Sequence, residues 1–282
     1  MAISAADVKA LREKTGAGPM ECKNALVESG GDAAAAEKLL KEKGLAAAAK
    51  RTGRATNEGR ITIKQGDGKV VLVETTTETD FVARNPEFIA LGDAIAGIAL
   101  EKGHEEPNDE LHALVKDLAT KIRENMALRR VKLVKTGANQ YADSYIHGDG
   151  AIGVVVVASS DKPEVFLKGE LKGFIHDIAL HIAAFSPEAL AKEDVRAEFI
   201  AEQEGIFRKQ MEMDEKLAGK PASVLDGILG GKVKKWLAEI CLLDQKFVKN
   251  DKLTVAAALA EAGKAAGAGV KLDGFVCFRV GG

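Results

Sequence analysis

Aromatic residues are scarce in this chain: they make up 5% of it, with one Trp and two Tyr. Stacking platforms for single-stranded nucleic acid need several exposed rings, so none is expected. A surplus of one charge is also missing. The 40 Lys and Arg residues face 42 Asp and Glu, a net charge of -2, whereas a dedicated nucleic-acid binder carries a basic excess or patch. Cysteine is limited to Cys22, Cys241 and Cys277, odd in number, far apart and never in a CxxC pair. That argues against a disulfide framework or a thiolate zinc site and suits a reducing compartment. No run approaches the ~18 uninterrupted apolar residues of a membrane span. Residues 1–9 show no basic-then-apolar leader pattern, and no tract is of low complexity.

Catalytic signatures are equally sparse. There is no GxxxxGK[ST] loop, no GxGxxG after a strand and no GxSxG elbow. Of the histidines, His176 and His181 lie on one predicted helix about 140° apart, so they cannot share a metal from one face as an i,i+4 pair could. A surface or partly buried structural role is expected for both.

What is present is ordinary globular material. The 282 residues are 46% hydrophobic and 29% charged, enough for about two domains. Residues 1–50 read as a three-helix module. Ser4 with Asp7 forms a capping box, Gly16 to Gly18 breaks the first helix, Pro19 starts the second, and Asp32 caps a third that stops near Gly44. Residues 51–59 suit a linker. Residues 60–140 form a first core subdomain. Ile61 and Ile63 alternate with polar residues, Gly66-Asp67-Gly68 turns the chain, and a Val- and Thr-rich strand returns to Thr76. Helices follow from Asn85-Pro86 and over 109–126, then a strand over 130–134.

A similar order recurs in residues 141–282, with a hairpin around Gly148-Asp149-Gly150 and a helix carrying Phe174, Ile175, Ile178 and Ile182. The repetition suggests an internal duplication. A charged helix over 194–217 has a thin apolar stripe of Val195, Phe199, Ile206, Met213 and Leu217. Such a helix projects from the body or pairs with one other. With a second stretch to about 238 it makes an inserted helical hairpin at about 185–230. A helix over 254–262 and a strand over 274–280 close the chain.

The segment from Glu74 to Arg84 lies between a strand end and a helix start, where loops on a rigid scaffold carry function. Asp80-Phe81 sets a charge beside a large ring at its tip. Phe81 either folds back into the core, as Phe often does, or stands out as an anchor. From the residues alone both remain open.

The run Thr79-Asp80-Phe81-Val82-Ala83-Arg84 resembles the TDFV signature of the elongation factor Ts family. So does the stretch from Leu11 to Leu26, which reads LREKTGAGPMECKNAL. Further matches are Glu124-Asn125-Met126 with Arg129-Arg130, Tyr145-Ile146-His147-Gly148, Gly219-Lys220-Pro221, Leu242 to Gln245, and Phe247-Val248. They follow the family's order over nearly the whole chain. Thr75 and Thr76 depart from it, since members usually carry an apolar residue and Asn there. Arg123 stands where Gly is common.

The resemblance implies an α+β fold: an N-terminal three-helix, ubiquitin-associated-like module, two related α+β core subdomains and an inserted helical hairpin. It implies a guanine-nucleotide exchange factor for elongation factor Tu, the GTPase that carries aminoacyl-tRNA to the ribosome. Covalent chemistry, cofactor and bound metal are not called for, nor is direct contact with nucleic acid or membrane. Thr79, Asp80, Phe81 and Val82 would form the exchange element, with Phe81 wedged near the partner's magnesium and nucleotide site. Met20 and Lys23 would grip a helix of the G domain, unless they are a core Met and a solvated Lys. His147 would touch the partner from the second hairpin's tip, unless it is a turn residue only. Phe247 and Val248 would add a small apolar contact. The hairpin serves self-association in some members, and its stripe permits a homodimer without demanding one. Three other readings stand beside this one: a scaffold that binds through the N-terminal module without exchange activity, a small-molecule enzyme using a cleft between the core subdomains, and RNA binding by 121–135.

Overall fold

The computed structural model describes residues 3–167 and 169–282. The chain forms two compact units. The first comprises Met1–Lys135, Ile146–Gly153 and Phe278–Gly282, and the second comprises Thr136–Tyr145 and Val154–Cys277. Helices combine with small antiparallel sheets, so the fold is α+β. Among the described residues, no helix is long and apolar enough to cross a membrane.

The first unit opens with α1 (Ala5–Thr15), α2 (Pro19–Glu28) and α3 (Ala33–Ala49). Their start signals act as the sequence indicates. Ser4 and Asp7 satisfy each other's backbone N–H groups, and Asp32 accepts from Ala34 and Ala35. Leu11, Cys22, Ala25, Leu26 and Ala36 make a small core. The third helix does not stop at Gly44. It continues through Leu45 and the alanines, which are strong helix formers. Gly44 instead lets α3 approach α6 (Asp109–Ile122) closely, since a Cβ there would lie 2.3 Å from Thr120 Cγ2.

Strands β1 (Glu58–Gly66), β2 (Lys69–Thr77) and β3 (Met126–Lys135) form an antiparallel sheet in that order. Asp67 and Gly68, both at positive φ, make the hairpin turn, as a two-residue connection requires. Between β2 and α5 (Pro86–Lys102) lies a single helical turn, α4 (Asp80–Ala83). Helices α5 and α6 cover one face of the sheet through Phe88, Leu91, Ile95, Leu111 and Val115, against Val71, Val73, Leu128, Val131 and Leu133.

By strand alternation Leu72 and Glu74 occupy the other face of β2. That face is also closed: β2 is buried over eight successive residues, from Val70 to Thr77. Residues 146–153 and 278–282 supply part of the cover. Ile61 N donates to Gly150 O at 2.7 Å and Gly281 N to Glu74 Oε1 at 2.9 Å.

Burial of β2 leaves one polar atom stranded. Thr76 Oγ1 shares a hydrogen bond with Thr56 Oγ1 at 2.9 Å, but Thr75 Oγ1 is buried with no partner. An unmet buried hydroxyl costs about 1–3 kcal/mol. Thr75→Val, which keeps the shape and removes the hydroxyl, is expected to raise stability by about 1 kcal/mol in urea titrations. A loss of stability would show that the hydroxyl is satisfied in solution.

Most of β4 (Gln140–His147), β5 (Ile152–Ser160) and β8 (Val270–Arg279) lies in the second unit, as a sheet in the order β4-β5-β8, with helices α7 (Gly169–Phe185) and α10 (Val255–Ala266) packed together. A short pair, β6 (Lys246–Phe247) and β7 (Asn250–Thr254), precedes α10.

The helical hairpin is α8 (Ala197–Glu212) and α9 (Ala222–Ile240), with its own core of Met211, Leu229, Val233, Leu237 and Cys241. Here the expectation needs correcting. The helix is shorter than 194–217, because Lys192–Asp194 and Glu215–Leu217 form separate 3₁₀ turns. Of the expected stripe, Val195 and Leu217 pack against the hairpin core and Phe199 meets Trp236 with ring centroids 5.4 Å apart; its middle differs. Ile200, Phe207 and Met211 pack into the hairpin core, while Ile206 and Met213 are exposed. A spacing of seven fits either face; Met211, four residues after Phe207, adds to one face only.

Candidate functional site

Thr79 ends the extended chain after β2 with β-like backbone angles, and its hydroxyl accepts from Val82 N–H at 3.4 Å. This is an N-cap, and the acid at the next position suits the first turn. The segment that reads as an irregular loop is thus a capped turn, α4. Its two faces differ sharply. Val82 and Ala83 are buried against the core, whereas Phe81 is 83% exposed. Phe81 therefore does not fold back. Asp80 Oδ2 lies 3.5 Å from Arg84 Nη2, an i,i+4 pair open to solvent.

The turn is held from below by the connection between α6 and β3. Glu124 accepts from Thr77 Oγ1, Thr79 N and Thr79 Oγ1. Glu78 reaches the opposite way, accepting from Asn125 N at 2.6 Å and pairing with Arg54 at 3.2 Å. The Asn125 amide, with Arg54 after it, holds the Glu78 carboxyl below the usual carboxylate range. Asn125 Nδ2 donates to Arg54 O at 2.7 Å, tying in the chain that enters β1. Glu124 and Glu78 enter the sequence reading only as members of a motif. The Thr-x-Thr spacing of Thr77 and Thr79 is the signal that an acceptor is needed on their shared side.

Met20 and Lys23 are both exposed on α2, Met20 at 65%. Between them, Glu21 pairs with Arg123, which pulls the Glu21 carboxyl below its ordinary range, helped by Gly18 N–H. Arg123, Glu124 and Asn125 thus link α2, the capped turn and the 52–54 segment within one unit. His147 is exposed at the end of β4, before Gly148-Asp149-Gly150, all at positive φ.

Phe247 and Val248 belong to the second unit. Phe247 is buried and packs on Phe174 with ring centroids 5.4 Å apart, leaving Val248 as the exposed member. Both rest on His181, which is fully buried. Val248 N–H donates to His181 Nδ1 at 3.2 Å, so Nε2 carries the proton and donates to Gln245 Oε1 at 2.9 Å. His176 pairs instead with Asp143 at 2.7 Å. No group of three or more His, Cys, Asp or Glu side chains among the described residues is set to hold a metal ion.

Burial lowers the His181 pKa, the Gln245 hydrogen bond opposing in part. The unfolded chain, with its histidine near about 6.5, then binds a proton more readily than the folded one. The stabilisation is complete above about pH 6.5 and is lost progressively as the pH falls from there toward the folded value. Between about pH 7.5 and about pH 5.5 stability is expected to fall more in the intact chain than in His181→Gln. Equal pH dependence in the two would show that His181 does not carry the effect.

A model of the family described as Elongation factor TS matches residues 78–282, beginning one residue before Thr79. Full-length relatives extend the match through the N-terminal helices. Elongation factor Ts of Treponema denticola is 52% identical over 281 residues, covering 100% of this chain and 99% of the relative. That of Treponema pallidum is 47% identical over 292 residues, and that of Borreliella burgdorferi 41% over 283, each covering at least 99% of both chains. With identity at this level along the whole length, and the Thr79–Arg84 turn inside the matched region, the chain belongs to the elongation factor Ts family.

Proposed function

We propose that this chain is a guanine-nucleotide exchange factor that binds elongation factor Tu and promotes GDP release so that GTP can bind. The observation that carries the reading is Phe81, a large ring 83% exposed on a turn whose other apolar residues are buried. Such an anchor contributes about 1.5–3 kcal/mol when it enters an apolar pocket. Asp80 beside it supplies a carboxylate that can leave Arg84 and approach the magnesium and nucleotide site of the GTPase. Only contacts stronger in the nucleotide-free state displace nucleotide, and linkage makes the effect mutual. A coupling of about 4 kcal/mol would change GDP affinity roughly a thousandfold. The step needs no nucleophile or general base.

Residues 1–50 act as the grip through Met20 and Lys23, and residues 60–140 carry the exchange turn. In 141–282, His147 and Val248 add contacts, with Phe247 supporting Val248 from beneath. Residues 51–59 link the grip to the first core subdomain. The factor works in the cytosol, without contact to nucleic acid or membrane, and the hairpin offers a surface for a second copy.

Stopped-flow release of fluorescent GDP from bacterial elongation factor Tu tests the proposal. Catalytic amounts of the intact chain are expected to speed release by at least about a hundredfold. No acceleration would overturn it and favour a scaffold that binds without exchange.

A further inference from the structure

Glu124 takes three hydrogen bonds on one carboxylate, all from one short stretch: Thr77 Oγ1 at 2.8 Å, Thr79 N at 3.1 Å and Thr79 Oγ1 at 2.7 Å. Bonds to a charged acceptor are about twice as strong as neutral ones. The Thr79 hydroxyl has one proton, and it is given to Glu124 Oε1. Its lone pairs are thereby aimed at Val82 N–H, the bond that caps α4. Glu124 thus fixes the rotamer of the capping residue. A helix of four residues cannot sustain itself, because nucleation is unfavourable. The presentation of Phe81 depends on supports outside the turn, and Glu124 is the one bonded to both Thr77 and Thr79. Its neighbour Arg123 pairs with Glu21, beside Met20 on α2.

We infer that Glu124 is a positioning residue for nucleotide exchange: it holds the Asp80–Ala83 turn in the geometry that presents Phe81, in register with the helix bearing Met20 and Lys23. The inference rests on the exchange-factor reading above. Glu124 itself makes no contact with nucleotide. It acts by removing disorder from the turn before the partner is met, so its loss lowers the rate of release more than the affinity for the GTPase.

The test compares the intact chain with Glu124→Ala, Glu124→Gln, Phe81→Ala and the double variant Glu124→Ala with Phe81→Ala. GDP release from elongation factor Tu is followed as GTPase concentration is varied, and amide hydrogen exchange is read at Val82. Glu124→Ala is expected to lower the maximal release rate about tenfold while KM stays within about threefold. Val82 exchange should quicken about tenfold. Added to Phe81→Ala, the same change should cost less than about twofold more, because both act through one turn.

A folded Glu124→Ala variant with full activity overturns the inference. So does a loss that multiplies in full with that of Phe81→Ala, since this would place the effect on the fold at large. If Glu124→Ala does not fold, Glu124→Gln decides by the same criteria, with about a threefold loss expected because one acceptor oxygen remains. If the intact chain fails to release GDP, the exchange-factor reading falls and takes the inference with it. A fast intact chain with equally fast Glu124 variants overturns the role of Glu124 alone.

Discussion

Phe81→Ala is expected to lower kcat/KM for GDP release about a hundredfold while leaving the chain as stable as before. The two halves of this expectation come from one feature, the exposure of the ring. In the free protein the side chain makes little apolar contact, so truncation should change unfolding free energy by no more than about 0.5 kcal/mol. In the proposed complex it would be the largest apolar group the turn offers, and aromatic anchors that fill a pocket carry about 2–4 kcal/mol of binding. About 2.7 kcal/mol is a hundredfold. On the proposed grip, Met20 and Lys23 would still hold the GTPase, so the variant should still bind it in a pull-down or by calorimetry. Phe81→Leu, which retains an apolar group of smaller area, should recover part of the rate. An Ala variant that exchanges normally would move the active element elsewhere on the chain.

Glu74→Ala is the second large effect, and it concerns stability. Glu74 is fully buried on β2, with Arg130 Nε at 2.5 Å, Arg129 Nη1 at 3.6 Å and Gly281 N at 2.9 Å. Arg130 in turn donates to Arg279 O at 2.8 Å and lies 4.2 Å over the Phe278 ring. Removing the carboxylate leaves the Arg130 guanidinium without its counter-ion and Gly281 N–H without its acceptor. Breaking a fully buried pair from one side costs about 3–5 kcal/mol; here the Arg130 side chain is 33% exposed, so the loss is expected at about 2 kcal/mol, a drop in Tm of roughly 5 °C. The loss should persist in high salt, unlike that of the solvent-exposed Lys9–Glu13 pair. A change of under about 1 kcal/mol would show that water replaces the carboxylate.

The sequence was most legible where structure is decided within a few residues. Ser4, Asp32 and Asn85 each cap the helix that follows, and Asp67-Gly68 turns the first hairpin. Gly44 and the middle of the hairpin stripe are not legible in this way, because a glycine can end a helix or admit a neighbour, and two helix faces can share one period. Only the packed partner settles either. The TDFV turn was visible as a motif, but the direction of Phe81 depends on which side chains fill the core below it.

The support for that turn comes from Glu124, 45 residues away from Thr79, and no local periodicity reports such a bond. Arg123 is a case in between. It ends α6 at φ 69°, a left-handed position that favours glycine, which is the residue common there in the family. Arg keeps the position at a cost of about 1 kcal/mol in backbone strain, offset in part by its pairing with Glu21.

The Glu74 clamp also sets an order of events during synthesis. Gly281 lies 207 residues beyond its acceptor. At about 5–20 residues per second, roughly ten to forty seconds separate the two on the ribosome. Throughout that interval the strand carrying Glu74 has exposed a carboxylate and an apolar face whose cover is not yet made. The first unit is therefore finished only after the second has been synthesised, and a nascent chain released early would carry an unsealed sheet.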